Sequence, residues 1–306
     1  AVESPREEGV IWTGSDDGLI HLSRDNGENW TNVTPPDMPE WMMINSIDVH
    51  PFVDGGAYVA GTRYKLGDFT PYLYKTTNYG ASWEEITSGI ESEHFTRVVR
   101  ADPEQESLLY AGTETAMYIS FDDGSSWQPF QLNLPTVPIT DLTIKNNNLI
   151  AATQGRSFWI IDDLTPLHQL SNQAMREDFQ RNGYHLYQPM ESYRMGGSQG
   201  EPSLTAGTNH PGGVMVHFVL AEEPDTAQAV VLQIQEKDGT LIREFSTMEE
   251  DESKNPLKGK LEVQRGFNRF VWDMRYPGAK TFEGMILWGG GTQGPKAVPG
   301  EYQVTL

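Results

Sequence analysis

The sequence predicts an all-β protein, with about four blades of a partial β-propeller over residues 1–165, a connector over 166–212 and an immunoglobulin-like β-sandwich over 213–306. Three observations carry that prediction. An eight-residue turn recurs as SRDNGENW (23–30), TTNYGASW (76–83) and SFDDGSSW (120–127), with Ser/Thr first, Asp/Asn two on, Gly four on and Trp seven on. Each copy follows two strand-like apolar runs separated by a Gly-Ser/Thr break and a polar loop, as in VIWTGSDDGLIHLS and LLYAGTETAMYIS. From Gly213 onward, VMVHFVL, FNRFVWDM and EYQVTL alternate apolar with polar residues, the period of strands with one buried face.

The turn tryptophans, Trp30, Trp83 and Trp127, stand 53 and 44 residues apart, close to the repeat of about 40–50 residues shown by four-stranded propeller blades. Upstream of the later copies, INSIDVHP, TRVVRADP and ITDLTIKNN each supply an innermost strand, and a short outer strand such as WEEIT follows the tryptophan. Four strands per unit make a blade. A fourth copy, LIAATQGRSFWIIDD, has lost its turn glycine. Residues 1–5 align with the ends of innermost strands in later blades, so the first blade is expected to be truncated and the set to form an arc of a larger propeller. Asp25, Asn78 and Asp122 are assigned to structure. Their side chains accept backbone N–H bonds, the glycine takes a positive φ, and the tryptophan packs under its blade.

After Pro166 the period fails, and the connector is expected to have little regular structure, with Tyr184, Tyr187 and Tyr193 laid on one of the two domains. A loop of that length usually packs against something. Beyond it, Asp238-Gly239 marks a hairpin, and the alternating strands around it predict the sandwich.

Composition removes several functions. The chain holds 43 acidic and 22 basic residues, a net charge of −21, which repels a phosphate backbone and argues against nucleic acid as a partner. Without cysteine there is no disulfide, thiolate metal site or cysteine nucleophile. No apolar run reaches the roughly 18 residues of a membrane span, so no membrane insertion is expected. The histidines lack zinc spacing, and Asp16-Asp17 and Asp162-Asp163 lack the spacing of a calcium loop. Neither a metal nor a cofactor is expected.

Through ESPREEGVIWTGSDDG, PYLYKTTNYGASW, LLYAGTETAMYISFDDG and ATQGRSFWIIDDLTPL, the chain resembles the C-terminal part of large bacterial sialidase-like or sortilin-like glycosyl hydrolases. The eight-residue turn is similar to the Asp-box, or BNR repeat, which joins the third and fourth strands of a blade in that family. GFNRFVWDM and VPGEYQVTL are similar to terminal Ig-like modules of secreted bacterial proteins. The resemblance implies a secreted, periplasmic or cell-surface location, a glycan or polysaccharide ligand, glycoside hydrolysis, and remaining blades or another protein chain as partner. The alternative it leaves open is a non-catalytic, sortilin-like platform for a protein or peptide.

Strand alternation puts the repeated turns on one face of the blades and the loops between second and third strands on the other. Those loops carry Asp16 and Asp17, then Arg63, Tyr64, Lys65 and Asp68, then Glu114, then Gln154 and Arg156. The inter-blade connections add Trp41, Met42 and Met43, and Glu93, His94 and Phe95. Asp16, Asp68 and Glu114 are the candidate catalytic acids, because glycoside hydrolysis uses two carboxyl groups about 5 Å or 6.5–9.5 Å apart. Arg63, Tyr64, Asp68, Glu114 and Arg156 are the candidate ligand contacts. Two planar cations and an aromatic face suit an acidic sugar. The competing expectation is that these acids pair with Arg63, Lys65 and Arg156 and do no more.

Overall fold

The computed structural model describes residues 1–195, 207, 209–224, 229–248, 255–282 and 284–306. They form two compact units, residues 1–164 and 165–306.

The first unit is a row of four antiparallel sheets of propeller-blade type. Blade 1 holds β1 (Val2–Glu3), β2 (Ile11–Gly14), β3 (Ile20–Ser23) and β4 (Thr31–Asn32), hydrogen-bonded in that order. Blade 2 holds β5 (Met43–Val49), β6 (Ala57–Arg63), β7 (Asp68–Thr76) and β8 (Glu84–Glu85), and blade 3 holds β9 (Thr96–Ala101), β10 (Leu109–Thr113), β11 (Met117–Ser120) and β12 (Gln128–Pro129). Blade 4 has three strands, β13 (Ile139–Lys145), β14 (Asn148–Thr153) and β15 (Phe158–Ile161), where the repeat led us to expect four.

The missing strand follows from the missing glycine. In the three full copies two consecutive residues take the left-handed conformation: Asn26 and Gly27, Tyr79 and Gly80, Asp123 and Gly124. The first of each pair is pinned by a backbone bond to the hairpin between strands one and two, Asn26 N to Gly9 O (3.0 Å), Tyr79 N to Gly55 O (2.8 Å) and Asp123 N to Ser107 O (2.9 Å). Leu164 N makes the same bond to Asn147 O at 3.0 Å, so the fourth copy begins its turn. The next residue is Thr165, which starts a helix. A β-branched residue resists positive φ where glycine does not.

Blades pack through their faces. Trp12, Ile20 and Leu22 of blade 1 meet Val49, Ala57, Val59 and Tyr74 of blade 2. Tyr58, Ala60 and Leu73 of blade 2 meet Val99, Leu109, Ala111 and Tyr118 of blade 3. Arg100 on β9 ties three blades together, donating from Nη1 to Ser46 Oγ of β5 (2.8 Å) and from Nε to Leu142 O of β13 (2.7 Å). The turn tryptophans do not pack under their own blades as expected. Trp83 Nε1 donates to Val33 O and Trp127 Nε1 to Ile86 O, each at 2.7 Å, so each clasps the outer edge of the preceding blade.

The second unit opens with α1 (Thr165–Leu170), α2 (Gln173–Asn182) and β16 (Tyr184–Leu186), so the first part of the expected connector has regular structure. Asn172 caps α2 by accepting from Ala174 N, and Gly183 ends it at φ 75°, the left-handed close that glycine permits. Of the three connector tyrosines only Tyr187 is buried, against His185 and Phe267, while Tyr184 and Tyr193 are exposed. Residues 196–206 and 208 of the connector lie outside the described residues.

Then come β17 (Val214–Leu220), β18 (Val231–Glu236), β19 (Leu241–Ser246), β20 (Lys258–Lys260), β21 (Gly266–Trp272) and β22 (Tyr302–Thr305). The sheets run β16-β17-β21 and β20-β19-β18-β22. Val216 and Trp272 of one share a core with Leu232, Ile234, Ile242 and Phe245 of the other, the arrangement of a sandwich. The turn at Asp238-Gly239 forms as expected, with Gly239 at φ 89°. β20 joins β19 in parallel, while the other strand pairs of these two sheets are antiparallel.

Candidate functional site

The candidate residues sit on the loops that blades 1 to 4 present opposite the repeated turns, Arg156 alone on blade 4. After β6 the chain makes a single 3-10 turn, Tyr64–Leu66, and Gly67 in left-handed conformation returns it to β7 at Asp68. That tight return places Arg63 and Asp68 across the same hairpin, where Arg63 Nη1 meets Asp68 Oδ2 at 2.8 Å. Asp68 also accepts from Thr70 N (3.1 Å) and from the Tyr72 hydroxyl (2.9 Å). Partial burial opposes its ionisation, but the Thr70, Tyr72 and Arg63 hydrogen bonds outweigh it and hold the carboxyl below the usual range.

Tyr64 turns the other way, toward blade 3. Its ring stacks on Phe95 with centroids 5.2 Å apart and planes 13° apart. The Arg97 guanidinium lies over both rings, 5.5 Å from Tyr64 and 5.3 Å from Phe95. Arg97 is in turn paired with Glu114 at 2.5 Å. Two of the three candidate acids are therefore each held by an arginine, and Arg97, in TRVVRADP, was not among the sequence candidates. Nothing local in TRVVRADP marks it; the pairing forms because β9 and β10 lie side by side.

Blade 1 contributes Asp16, which is exposed. Its loop is pressed onto the backbone at the start of β5: Ile44 N donates to Ser15 O at 3.1 Å, and a Cβ at Gly18 would lie 3.0 Å from Met42 N. A groove of about 220 Å³ results, lined by Asp16, Trp41, Met43, Arg63, Tyr64 and Lys65 with Thr62 and Leu66. Trp41 is 66 % exposed and has φ 62°, an unfavourable backbone for a bulky side chain. Met42, by contrast, is fully buried, and so is Phe95 beneath Tyr64, so neither offers a free surface. Lys65 makes no ion pair among the described residues; its amine lies 3.9 Å from Met43 Sδ.

Arg156 keeps to its own loop, with Nη1 donating to Gly155 O at 3.0 Å. Among the described residues no hydrogen bond or ion pair joins it to the other four ligand candidates. Asp48, an acid whose pKa is raised, lies between the innermost strands of blades 2 and 3, away from this groove. Burial drives that rise, partly offset by the Ala101 amide and Arg100.

No family model matches the chain, and no curated relative matches it. Among solved structures it is similar to YCF48 from Cyanidioschyzon merolae, at 17% identity and a TM-score of 0.40 over 53% of this chain and 52% of that one. It is also similar to the GH74 xyloglucanase from Xanthomonas campestris, at 19% identity and TM-score 0.39 over 51% of this chain and 26% of that one. The Niastella koreensis GH74 enzyme gives 12% identity and TM-score 0.42 over 78% of this chain and 36% of that one. The chain thus spans about half the length of these structures or less. No helix of the described residues is long and apolar enough to cross a membrane.

Proposed function

We propose that the first unit is the glycan-binding part of a secreted protein of the sialidase-like or sortilin-like kind, acting through the groove between blades 1 and 2. The observation that carries this is Trp41, a tryptophan held exposed in a left-handed backbone beside Tyr64 and Lys65, which makes no ion pair among the described residues. Strain of this sort persists where the surroundings impose it and clusters at ligand sites. An aromatic face binds the apolar side of a sugar ring, and Lys65 offers its charge to a carboxylate. An acidic sugar is the favoured ligand. Arg63 and Asp68 act as one neutral, hydrogen-bonding unit, Glu114 steadies the Tyr64 platform through Arg97, and Arg156 would meet only a ligand longer than a single sugar.

The reading is of binding without turnover. A glycosidase needs a carboxylic acid kept protonated near neutral pH, whereas Asp68 is held ionised and Glu114 is tied to Arg97. The exposed apolar side chains Leu66 and Trp41 favour a second reading, a peptide ligand. A glycan array probed with the full chain, followed by titration of uronic and sialic acid oligosaccharides into parent and Trp41→Ala, tests the first. Saturable binding that falls at least tenfold in the variant supports it; no glycan bound, or equal binding by the variant, removes it.

A further inference from the structure

The innermost strands of blades 1 to 3 end on the same small device. Ser4, His50 and Asp102 follow β1, β5 and β9, and each is followed by proline. Each also closes its hairpin with a backbone bond, Ser4 N to Val10 O (2.8 Å), His50 N to Gly56 O (3.0 Å) and Asp102 N to Leu108 O (2.9 Å). The side chain then turns back to accept amides of the turn that follows. Ser4 Oγ accepts from Arg6 N and Glu7 N, both at 3.2 Å, and Asp102 Oδ1 accepts from Glu104 N (2.9 Å) and Gln105 N (3.0 Å). In blade 2 the acceptor is an imidazole: Phe52 N donates to His50 Nδ1 at 3.1 Å.

That exchange changes what acid does to the turn. A hydroxyl accepts at any pH near neutrality, and a carboxylate does so until it is protonated at about pH 4. Nδ1 accepts only while the ring is neutral, because the imidazolium carries a proton on both nitrogens. His50 is 3% exposed and stacked on Tyr58, with centroids 5.2 Å and planes 28° apart. The charged groups that face it come from each element around it: Asp123 from the repeated turn of blade 3, Glu106 from the turn after β9, Lys75 on β7 and Arg6 from the turn after β1. The two acids favour a protonated ring and the two bases oppose it. Asp123 is itself engaged by the Tyr58 hydroxyl and by Lys75, and Arg6 pairs with Asp54. Burial is the largest influence, and it holds His50 below its ordinary 6.5.

We propose that His50 is an acid-sensitive latch, whose protonation opens the turn after β5 and loosens the join between blades 1 and 2. What hangs on that turn is visible in its hydrogen bonds. Gly55 O accepts from Tyr79 N (2.8 Å), the bond that pins the repeated turn of blade 2, and Gly55 N donates to Glu7 Oε2 of blade 1 (3.1 Å). The Tyr79 hydroxyl donates to the other Glu7 oxygen at 2.7 Å. Gly55 takes φ 68°, and a Cβ at Gly56 would lie 2.6 Å from His50 Cβ, so the ring and this corner of backbone are packed as one piece. Once Nδ1 carries a proton it faces the Phe52 N–H donor to donor, the corner yields, and the Glu7 and Tyr79 contacts lose their anchor. The closed turn prefers the neutral ring, so the latch is fully shut above 6.5 and loosens as pH falls from there to the depressed value.

Hydrogen–deuterium exchange of the full chain from about pH 7.5 down to about pH 5, corrected for intrinsic rates and read by mass spectrometry, follows the latch segment by segment. A single proton links opening to pH, so opening over 50–56 and 77–80 is expected to rise about tenfold for each pH unit below 6.5 until the depressed value is reached. The matching turn of blade 3, 102–108, closes on a carboxylate and should stay flat over this range, which makes it the internal control. His50→Asn keeps an oxygen that accepts without titrating, and it should be flat at both turns. Nitrogen-15 shifts of the His50 ring in the parent give a second readout that needs no variant: an unprotonated Nδ1 at neutral pH and a titration below 6.5. The proposal is overturned by a parent that stays flat over 50–56, by 102–108 opening in step with it, by an acid response kept in His50→Asn, or by a ring that titrates at or above 6.5.

Discussion

The two ends of each blade are made from opposite kinds of sequence. At one end the turn repeats, and the atoms repeat with it. Ser23 and Ser120 each accept from the glycine amide of their turn (2.8 and 2.9 Å), and Asp25 and Asp122 each accept from the amide four residues on at 2.8 Å. At the other end Ser15, Thr113 and Thr153 close their loops alike, each through N and Oγ to a carbonyl across the loop, but the lengths and side chains presented differ: an acidic turn in blade 1, a 3-10 turn with Arg63 and Tyr64 in blade 2, a short connection over 114–116 in blade 3. Packing imposes the same solution wherever the same neighbour recurs. A ligand is met once, so the end that escapes repetition is the end free to carry a site.

The largest expected effect tests the structural end. Trp127→Ala removes a side chain that is 5% exposed together with its bond to Ile86 O and should cost about 3–5 kcal/mol in urea unfolding. Trp30→Ala, at a side chain that is 43% exposed and bonds to Gly27 O of its own turn, should cost under about 1 kcal/mol. Equal losses would mean that the tryptophan serves its own turn and not the clasp between blades.

Next comes Asp122→Ala, expected to cost about 1–3 kcal/mol because turn amides and hydroxyls lose their acceptor, with glycan binding intact. Binding lost at unchanged stability would put function at the wrong end of the blade. The same residue sets a pH dependence. Partial burial opposes its charge, yet bonds from Ser126 and Ser120 hold the Asp122 carboxyl below its ordinary 3.8. Its contribution is therefore complete above that ordinary value and is lost as pH falls through the depressed one. Asp122→Asn should flatten the acid limb of the stability curve, and Asn78, an amide already in that position, should show no such limb in Asn78→Ala.

A smaller change of opposite sign belongs to the ligand end. Trp41→Gly relieves a left-handed backbone, and the relief should offset the glycine's added chain entropy, leaving thermal stability within about 1 kcal/mol of the parent or above it. Sugar binding should fall at least tenfold. A marked loss of stability would show that Trp41 is a packing residue. The smallest effect is Arg156→Ala, expected to stay within about 0.5 kcal/mol in stability and to leave monosaccharide binding unchanged while weakening that of longer oligosaccharides.

Sequence by itself determined what depends on local backbone chemistry and on period. Three turns with glycine at the same place dictate left-handed residues there, and runs such as LLYAG and MYIS, followed by such a turn, pair as blade strands. The loops that carry the candidate acids and arginines were likewise legible as connections between second and third strands. What only the tertiary structure decided is which charges meet. Arg63 reaches Asp68 through a hairpin whose return depends on Gly67, and Glu114 is claimed by Arg97, a residue on a neighbouring strand with no local mark of that role. The tryptophans grip the preceding blade for the same reason, since Val33 and Ile86 come within reach only when blades stack. Contacts within a turn are set by residues a few positions apart. Contacts between blades join residues from 24 to 72 positions apart, and no local pattern records the partner.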